Sequence, residues 1–350
     1  MANKYSASLV ASLSLFAMVY SQHTFAVAAP KELRLVCSVQ KDWCDLLAQK
    51  YGAEFGVKVE MKQMATNAAL EAIRTSSEMT QFDVWFGGTG DPHLEAANEN
   101  LTVAYRSSQL SNLHDWATWQ ASLSNYKTVG VYSGVLGFIV NEDSLRNSNL
   151  KPPRCWLNLL RPEYAGAVLS SNPASSGTAY TVMATWISMM GEDQAFKFMK
   201  QLNSSIKEYA KSGGGLASRI AKGESPIAIG FIHDGVSEKQ KGAPIAVITP
   251  CEGSGYETGS VSIIKGGRVS QAKHFVDWVL LPKTQELAAA ANQFQVPSHT
   301  KTPIPSGTPR FNEFKIYMAY DPKRFSNPEE KKRLIARWEK DVFQEWQVKR

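Results

Sequence analysis

The chain has 350 residues, with 38 Lys and Arg against 32 Asp and Glu, a formal net charge of +6. Its 43% apolar content and nine tryptophans exclude a disordered chain and indicate a well-packed globular protein. The basic residues are scattered, with no aromatic-interleaved basic stripe, so the composition does not mark a nucleic-acid binder.

The first segment is a basic start at Lys4, an apolar run from Ala7 to Tyr20, and Ala26-Val27-Ala28, a small-x-small cleavage pattern. This is the layout of a secretory signal peptide over residues 1–28, too short in its apolar core for a permanent anchor. No cysteine stands at the cleavage point to carry a lipid, so the mature chain is expected free in the periplasm. The remaining length exceeds what one compact core usually holds, which predicts two lobes.

Leu33 to Val36 alternates as a strand, and Asp42 to Phe55 reads as an amphipathic helix. A strand at Val57 to Met61, a helix near Ala68 to Thr75 and a buried strand Phe82 to Phe86 follow. Strands alternating with helices predict βαβ units. Thr128 to Asn141 is too long for one ordinary strand and carries Gly130, Gly134 and Gly137, which permit bending; it reads as a crossover between lobes. The alternation resumes with a strand at Gly166 to Ser170, helices at Ala179 to Met190, Asp193 to Leu202 and Leu216 to Lys222, and a strand at Ile227 to Ile232. Val261 to Ile264 is a second expected crossover, before helices at Ala272 to Leu280 and Lys283 to Ala291 and a proline-rich loop from Pro297 to Pro309. The terminal helix Pro328 to Gln347 bears Leu334, Trp338, Val342 and Trp346 at four-residue spacing, an apolar stripe expected to pack on the first lobe. The expected fold is α/β: lobe one from residues 29–135 and 265–350, lobe two from 136–264, each a central mixed sheet flanked by helices, joined by two crossover strands with a ligand cleft between.

Ligands of open α/β sheets bind beyond the carboxyl ends of the strands, where helix N-termini point. Asn172 to Tyr180 opens a helix after a strand, and its Ser175, Ser176, Gly177 and Thr178 form a hydroxyl-rich anion cradle or, alternatively, a plain N-cap. Lys211 to Gly215 places Ser212 before three glycines at a second helix start, or in a flexible surface loop. Ser38 follows the first strand and Thr89 the third, so both face the cleft. His233 and Asp234 follow the strand at Ile227 and together offer donors and acceptors for polyhydroxy groups, or are a turn Asp beside a solvated His. Glu252 and Glu257 flank a glycine-rich loop beside Cys251, and Trp43 is either a stacking platform or a core residue. Four cysteines in an oxidising compartment are expected to pair. Of three connectivities, Cys37–Cys44 and Cys155–Cys251 are preferred, because the first pins a strand end to the next helix. No histidine lies at metal-ligand spacing from them.

Taken together, Asp83 to His93, Thr128 to Gly134, Ser175 to Tyr180 and Pro250 to Glu257 resemble the type II periplasmic solute-binding proteins of ABC importers, in the branch of the ferric-iron binders. That branch holds iron with an adjacent Tyr-Tyr pair, a His and a Glu, plus an anion. The corresponding positions here are His233-Asp234, Gln40 and Gly88, so the resemblance implies an anion site without the iron ligands. The hexose-phosphate receptors of the same branch look closest. Carried over from them, His233, Asp234 and Glu257 hold sugar hydroxyls, while Ser38, Thr89, Ser175, Ser176, Gly177, Thr178 and Ser212 hold phosphate. The resemblance implies a monomeric, non-catalytic receptor without cofactor or metal, delivering a hexose 6-phosphate to an inner-membrane ABC permease. A phosphonate such as 2-aminoethylphosphonate, ferric iron, a periplasmic phosphohydrolase and a sensor module are the alternatives. An enzyme would need a positioned nucleophile with its base, or two metals, and no such cluster is evident.

Overall fold

The computed structural model describes Met1 and residues 31–76, 82–310 and 320–348. The expected signal peptide, residues 1–28, lies outside the described residues apart from Met1. No helix among the described residues is long and apolar enough to cross a membrane.

The chain opens with β1 (Lys31–Cys37), α1 (Lys41–Phe55), β2 (Val57–Gln63), α2 (Thr66–Arg74), β3 (Val84–Phe86), α3 (Gly90–Asn98), β4 (Thr102–Val103) and α4 (Asp115–Leu123). There follow β5 (Val129–Asn141), α5 (Glu142–Asn147), β6 (Val168–Ser171), α6 (Gly177–Met190), α7 (Glu192–Leu202), β7 (Ile206–Ala210), α8 (Leu216–Ala221) and β8 (Ile227–Phe231). The remainder is α9 (Ile232–Gln240), β9 (Ile245–Ile248), β10 (Tyr256–Ile264), α10 (Val269–Val279), α11 (Pro282–Gln285), α12 (Leu287–Ala290), β11 (Val296–Pro297), α13 (Pro322–Phe325) and α14 (Pro328–Trp338). A π turn at Glu339–Phe343 carries α14 on into a last helical turn, Gln344–Val348.

The strands pair in the order β2-β1-β3-β10-β5-β8-β6-β7. β1 is parallel to β2 and β3, as the βαβ pattern predicts, whereas β10 is antiparallel to β3 and β5. β5 is the joint. Its first half pairs with β10 and β11, and its second half, from Leu136 on, pairs with β8 and β9. All of its residues are buried, which explains an almost uninterrupted apolar run with glycines where neighbours press close. The expected second crossover at Val261 belongs instead to the first sheet. β10 pairs there from Tyr256 opposite Val135, at the junction, through Ile264 beside β4.

Two large cores form. One gathers Leu33, Leu47, Phe86, Val131, Phe275 and Trp278 around the first sheet, and the other gathers Phe138, Trp156, Trp186, Phe198 and Ile229 around the second. The terminal helix corrects the expectation. Leu334, Trp338 and Val342 are buried in the second core, although residues 265–350 were all expected on the first lobe. The stripe at four-residue spacing fixes which helix face is buried but not its partner; Phe196 of α7 and Tyr209 of β7 belong to that partner. Arg333 and Arg337 pair with Glu192 of α7, and Asn203 Nδ2 donates to Val342 O at 2.8 Å.

Cys37 pairs with Cys44 and Cys155 with Cys251, as expected. The first ties the end of β1 to α1; the second ties the Cys251 loop to the segment that precedes Trp156. Trp338→Ala should lower the unfolding free energy by about 3–5 kcal/mol, the range for deleting a buried aromatic side chain. Urea titration measures this, and a loss below about 1 kcal/mol would remove the terminal helix from the core.

Candidate functional site

A cleft of about 630 Å³ opens at the junction of the two sheets. It is lined by Ser38, Gln40, Thr66, Thr89, Tyr132, Ser176, Gly177, Thr178, Ser212, His233, Asp234 and Glu257, among others. Six helices begin at its walls. α1 starts after Gln40, α2 at Thr66, α3 after Thr89, α6 after Ser176, α8 after Gly215 and α9 beside His233. Of these, only α6 has a side-chain cap, Ser176 Oγ accepting from Ala179 N at 3.3 Å; the first turns of α1, α2, α3, α8 and α9 carry none. Uncapped first-turn N–H groups, each at the positive end of a helix dipole, are anion ligands by default. Lys41 is the cationic side chain among the lining residues, and it is exposed and paired with Asp45 at 2.5 Å. Negative charge at this end is therefore met by backbone and hydroxyl donors.

The hydroxyl end is tightly convergent. A Cβ on Gly177 would overlap Thr89 Oγ1 and crowd Thr66, and one on Gly88, whose φ is 86°, would overlap Thr66 and crowd Ser38. Thr89 Oγ1 is buried without a hydrogen-bond partner, an available group at the centre of this cluster. Ser38 Oγ accepts from Trp85 Nε1 at 2.9 Å, which fixes its orientation. A Cβ on Gly213 would overlap Thr178, so the glycine run after Ser212 lets two chain segments meet there.

The opposite end holds His233, Asp234 and Glu257. His233 Nε2 stands 3.6 Å from Asp234 Oδ1 and 3.8 Å from Glu257 Oε1, beyond hydrogen-bond length. His233 Nδ1 is buried and unpartnered, pressed against Gly134 of β5, where a Cβ would overlap the ring. Burial pushes the Asp234 carboxyl up to about 8, with Glu238 adding to the effect and Lys241 opposing it. Burial, then the Asp234 charge, raises Glu257 well above the usual carboxylate range. Burial holds the His233 imidazole down at about 3. Burial thus disfavours charge at this end: an imidazole and two carboxyls shifted toward their neutral forms, which can donate and accept, suit hydroxyl groups. Gln40 Nε2 donates to Asp234 Oδ1 at 2.5 Å and joins the two walls of the cleft.

Nine of the ten residues expected to contact ligand line this cleft. Ser175 does not. Its Oγ donates to Lys211 O at 2.8 Å, and the residue lines a separate cavity with Lys331 and Glu95. The reason is local: the turn that caps α6 at Ser176 turns the preceding serine outward. Glu252 also lies elsewhere, accepting from Trp156 N and Leu157 N, and Trp43 is a core residue packed on Phe86 and Tyr132. Sequence reasoning missed Thr66, Tyr132, Gln63 and Gln295 in the lining. Thr66 was within reach of the strand-end rule, since it follows β2 as Ser38 follows β1. Tyr132, whose hydroxyl accepts from Gly88 N at 2.9 Å, looked like one more apolar strand residue.

The model of the bacterial extracellular solute-binding proteins matches residues 89–319, about two thirds of the chain. This chain belongs to that family. Among solved structures it is similar to the periplasmic binding protein AfuA from Actinobacillus pleuropneumoniae, a structure with exogenous fructose-6-phosphate bound. The two are 35% identical, with a TM-score of 0.86, over 90% of this chain and 99% of that one. The periplasmic binding protein P5PA is 34% identical, with a TM-score of 0.85, over 89% and 99% of the two chains. The apo ferric ion-binding protein A from Pasteurella haemolytica shares the fold at 17% identity, with a TM-score of 0.72, over 89% and 98%. The protein is a periplasmic solute-binding protein with the two-lobed type II fold, a fold that the ferric ion-binding protein A shares.

These shifts imply a stability profile for the protein without ligand. Asp234 binds its proton more tightly folded than unfolded, so its contribution is full below about pH 4 and lost as pH rises through about 8, and Glu257 is shifted in the same direction. His233 binds its proton less tightly when folded, so its contribution is present above about pH 6.5 and lost as pH falls toward 3. Asp234→Asn with Glu257→Gln should therefore flatten the fall in melting temperature between pH 6 and pH 9. An unchanged alkaline slope in differential scanning calorimetry would mean that these carboxyls are ionised in the folded protein.

Proposed function

We propose that this protein is the exported, non-catalytic receptor of an ABC importer and that it captures a hexose 6-phosphate in the cleft. The observation that carries the reading is the two-ended cleft: uncapped helix starts with Thr66, Thr89, Gly177 and Thr178 at one end, and His233, Asp234 and Glu257, shifted toward their neutral forms, at the other. A phosphate requires the first end and a polyol the second. A volume of about 630 Å³ falls within the range of small-molecule sites, roughly 300–1,000 Å³. The likeness to a receptor seen with fructose-6-phosphate supports the same ligand class. Lobe closure about β5 and β10 would bring the two walls onto the ligand.

The donor set argues against ferric iron: Tyr132 is the single tyrosine among the described residues of the lining, its hydroxyl already accepts from Gly88 N, and the other oxygen donors there are mainly neutral hydroxyls and amides. A phosphonate with an ammonium group would have to ionise Asp234 or Glu257 on binding, at the expense of their burial.

Titration calorimetry against glucose 6-phosphate, fructose 6-phosphate, free hexoses, 2-aminoethylphosphonate and Fe³⁺ tests the proposal. A 1:1 complex with a hexose phosphate and no release of inorganic phosphate is expected. Binding confined to iron or to the phosphonate would overturn it. His233→Ala should weaken hexose-phosphate binding about 10- to 100-fold, the cost of losing one or two buried hydrogen bonds to ligand.

A further inference from the structure

In a separate cavity beside the cleft, a single ammonium touches three of the helices that begin at the cleft walls. Lys331 belongs to α14, which is anchored in the second core by Leu334 and Trp338. Its Nζ donates to Glu95 Oε2 of α3 at 2.6 Å and to Asn67 Oδ1 of α2 at 3.2 Å, and lies 5.3 Å from the centre of the Tyr180 ring in the first turn of α6. Lys331, Glu95 and Asn67 are all buried, unlike the exposed pairs around Glu330 and Asp341. α2, α3 and α6 present Thr66, Thr89 and Gly177 to the cleft. The contacts around Lys331 continue the link: Asn67 Nδ2 reaches Pro173 O at 3.4 Å, Asn98 Nδ2 reaches Ser326 O at 3.4 Å, and Tyr320 donates to Asp91.

We infer that Lys331 is a positioning residue for ligand capture: a latch that holds the N-termini of α2, α3 and α6 in one arrangement and sets how readily the cleft opens. Its effect on ligand rests on the reading of the cleft as a phosphate site; its effect on opening does not. A buried ammonium that bridges two cores must be stripped from its carboxylate before the walls can part there, and that cost is absent from an open form. Removing the lysine does not orphan Glu95, because Arg74 Nη2 also donates to it, at 2.5 Å.

The test uses the full mature chain carrying Lys331→Met, which keeps most of the packed stem, and Lys331→Arg as the conservative variant. Without ligand, small-angle X-ray scattering should give a larger radius of gyration for Lys331→Met than for the native protein, with Lys331→Arg close to native. Stopped-flow measurements should show glucose 6-phosphate leaving roughly tenfold faster, with inorganic phosphate weakened by a similar factor, a typical size for coupling between sites. A lower melting temperature with an unchanged radius would show a merely structural lysine and overturn the inference, as would unchanged phosphate affinity where the native protein binds phosphate. Should the native protein bind no phosphate compound, the phosphate reading fails and the ligand-free radius alone decides the latch. Glu95→Gln, expected to give the same changes, serves if Lys331→Met does not fold.

Discussion

One continuous strand, β5, belongs to both sheets, and the rest of the molecule is arranged by that constraint. Because its first half pairs with β10 and its second with β8 and β9, the two cores cannot merge, and a cleft must lie where they meet. The strands that flank it in each sheet end at this junction, so the helices that follow them start there. Gly134 sits at the handover, and its missing side chain is the space that His233 occupies. The backbone thus brings helix starts from both sides to one place before any ligand is considered.

The electrostatics follow from the same arrangement. The cleft floor is buried, so bare charges are costly there, and the titratable groups that face it have shifted toward their neutral forms. What remains to meet an anion is the partial charge of the helix ends with the hydroxyls beside them, which is fixed in direction and needs no counterion. Such a site selects by geometry, and an imidazole with two carboxyls, all shifted by burial toward their neutral forms, selects in the same way at the other end. The charged network lies in a separate cavity, where Lys331, Glu95, Arg74 and Glu99 tie α14 to α2 and α3.

Much of this was legible in the sequence because it depends on local pattern. The length and glycines of the Thr128–Asn141 run announced the shared strand, and the strand-end rule located Ser38, Thr89, Gly177 and His233. The terminal helix was misplaced because an apolar stripe of Leu334, Trp338 and Val342 states only that one face is buried; the choice between two cores is a long-range contact. Ser175 was misassigned for a related reason. Adjacent serines in a cap turn point opposite ways, and which one caps is settled by backbone angles that composition does not reveal. Tyr132 acts through a partner 44 positions away, beyond the reach of any motif, while Gln40, marked in the sequence only by its correspondence to an iron ligand, meets Asp234, 194 positions on.

The most direct measurement is a crystal structure of the protein grown with glucose 6-phosphate or fructose 6-phosphate. The phosphorus is expected against the starts of α2, α3 and α6, within hydrogen-bond reach of Thr89 and Thr178, with sugar hydroxyls on His233, Asp234 and Glu257. A ligand bound in the reverse sense, or one found outside the cleft, would contradict the assignment of the two ends.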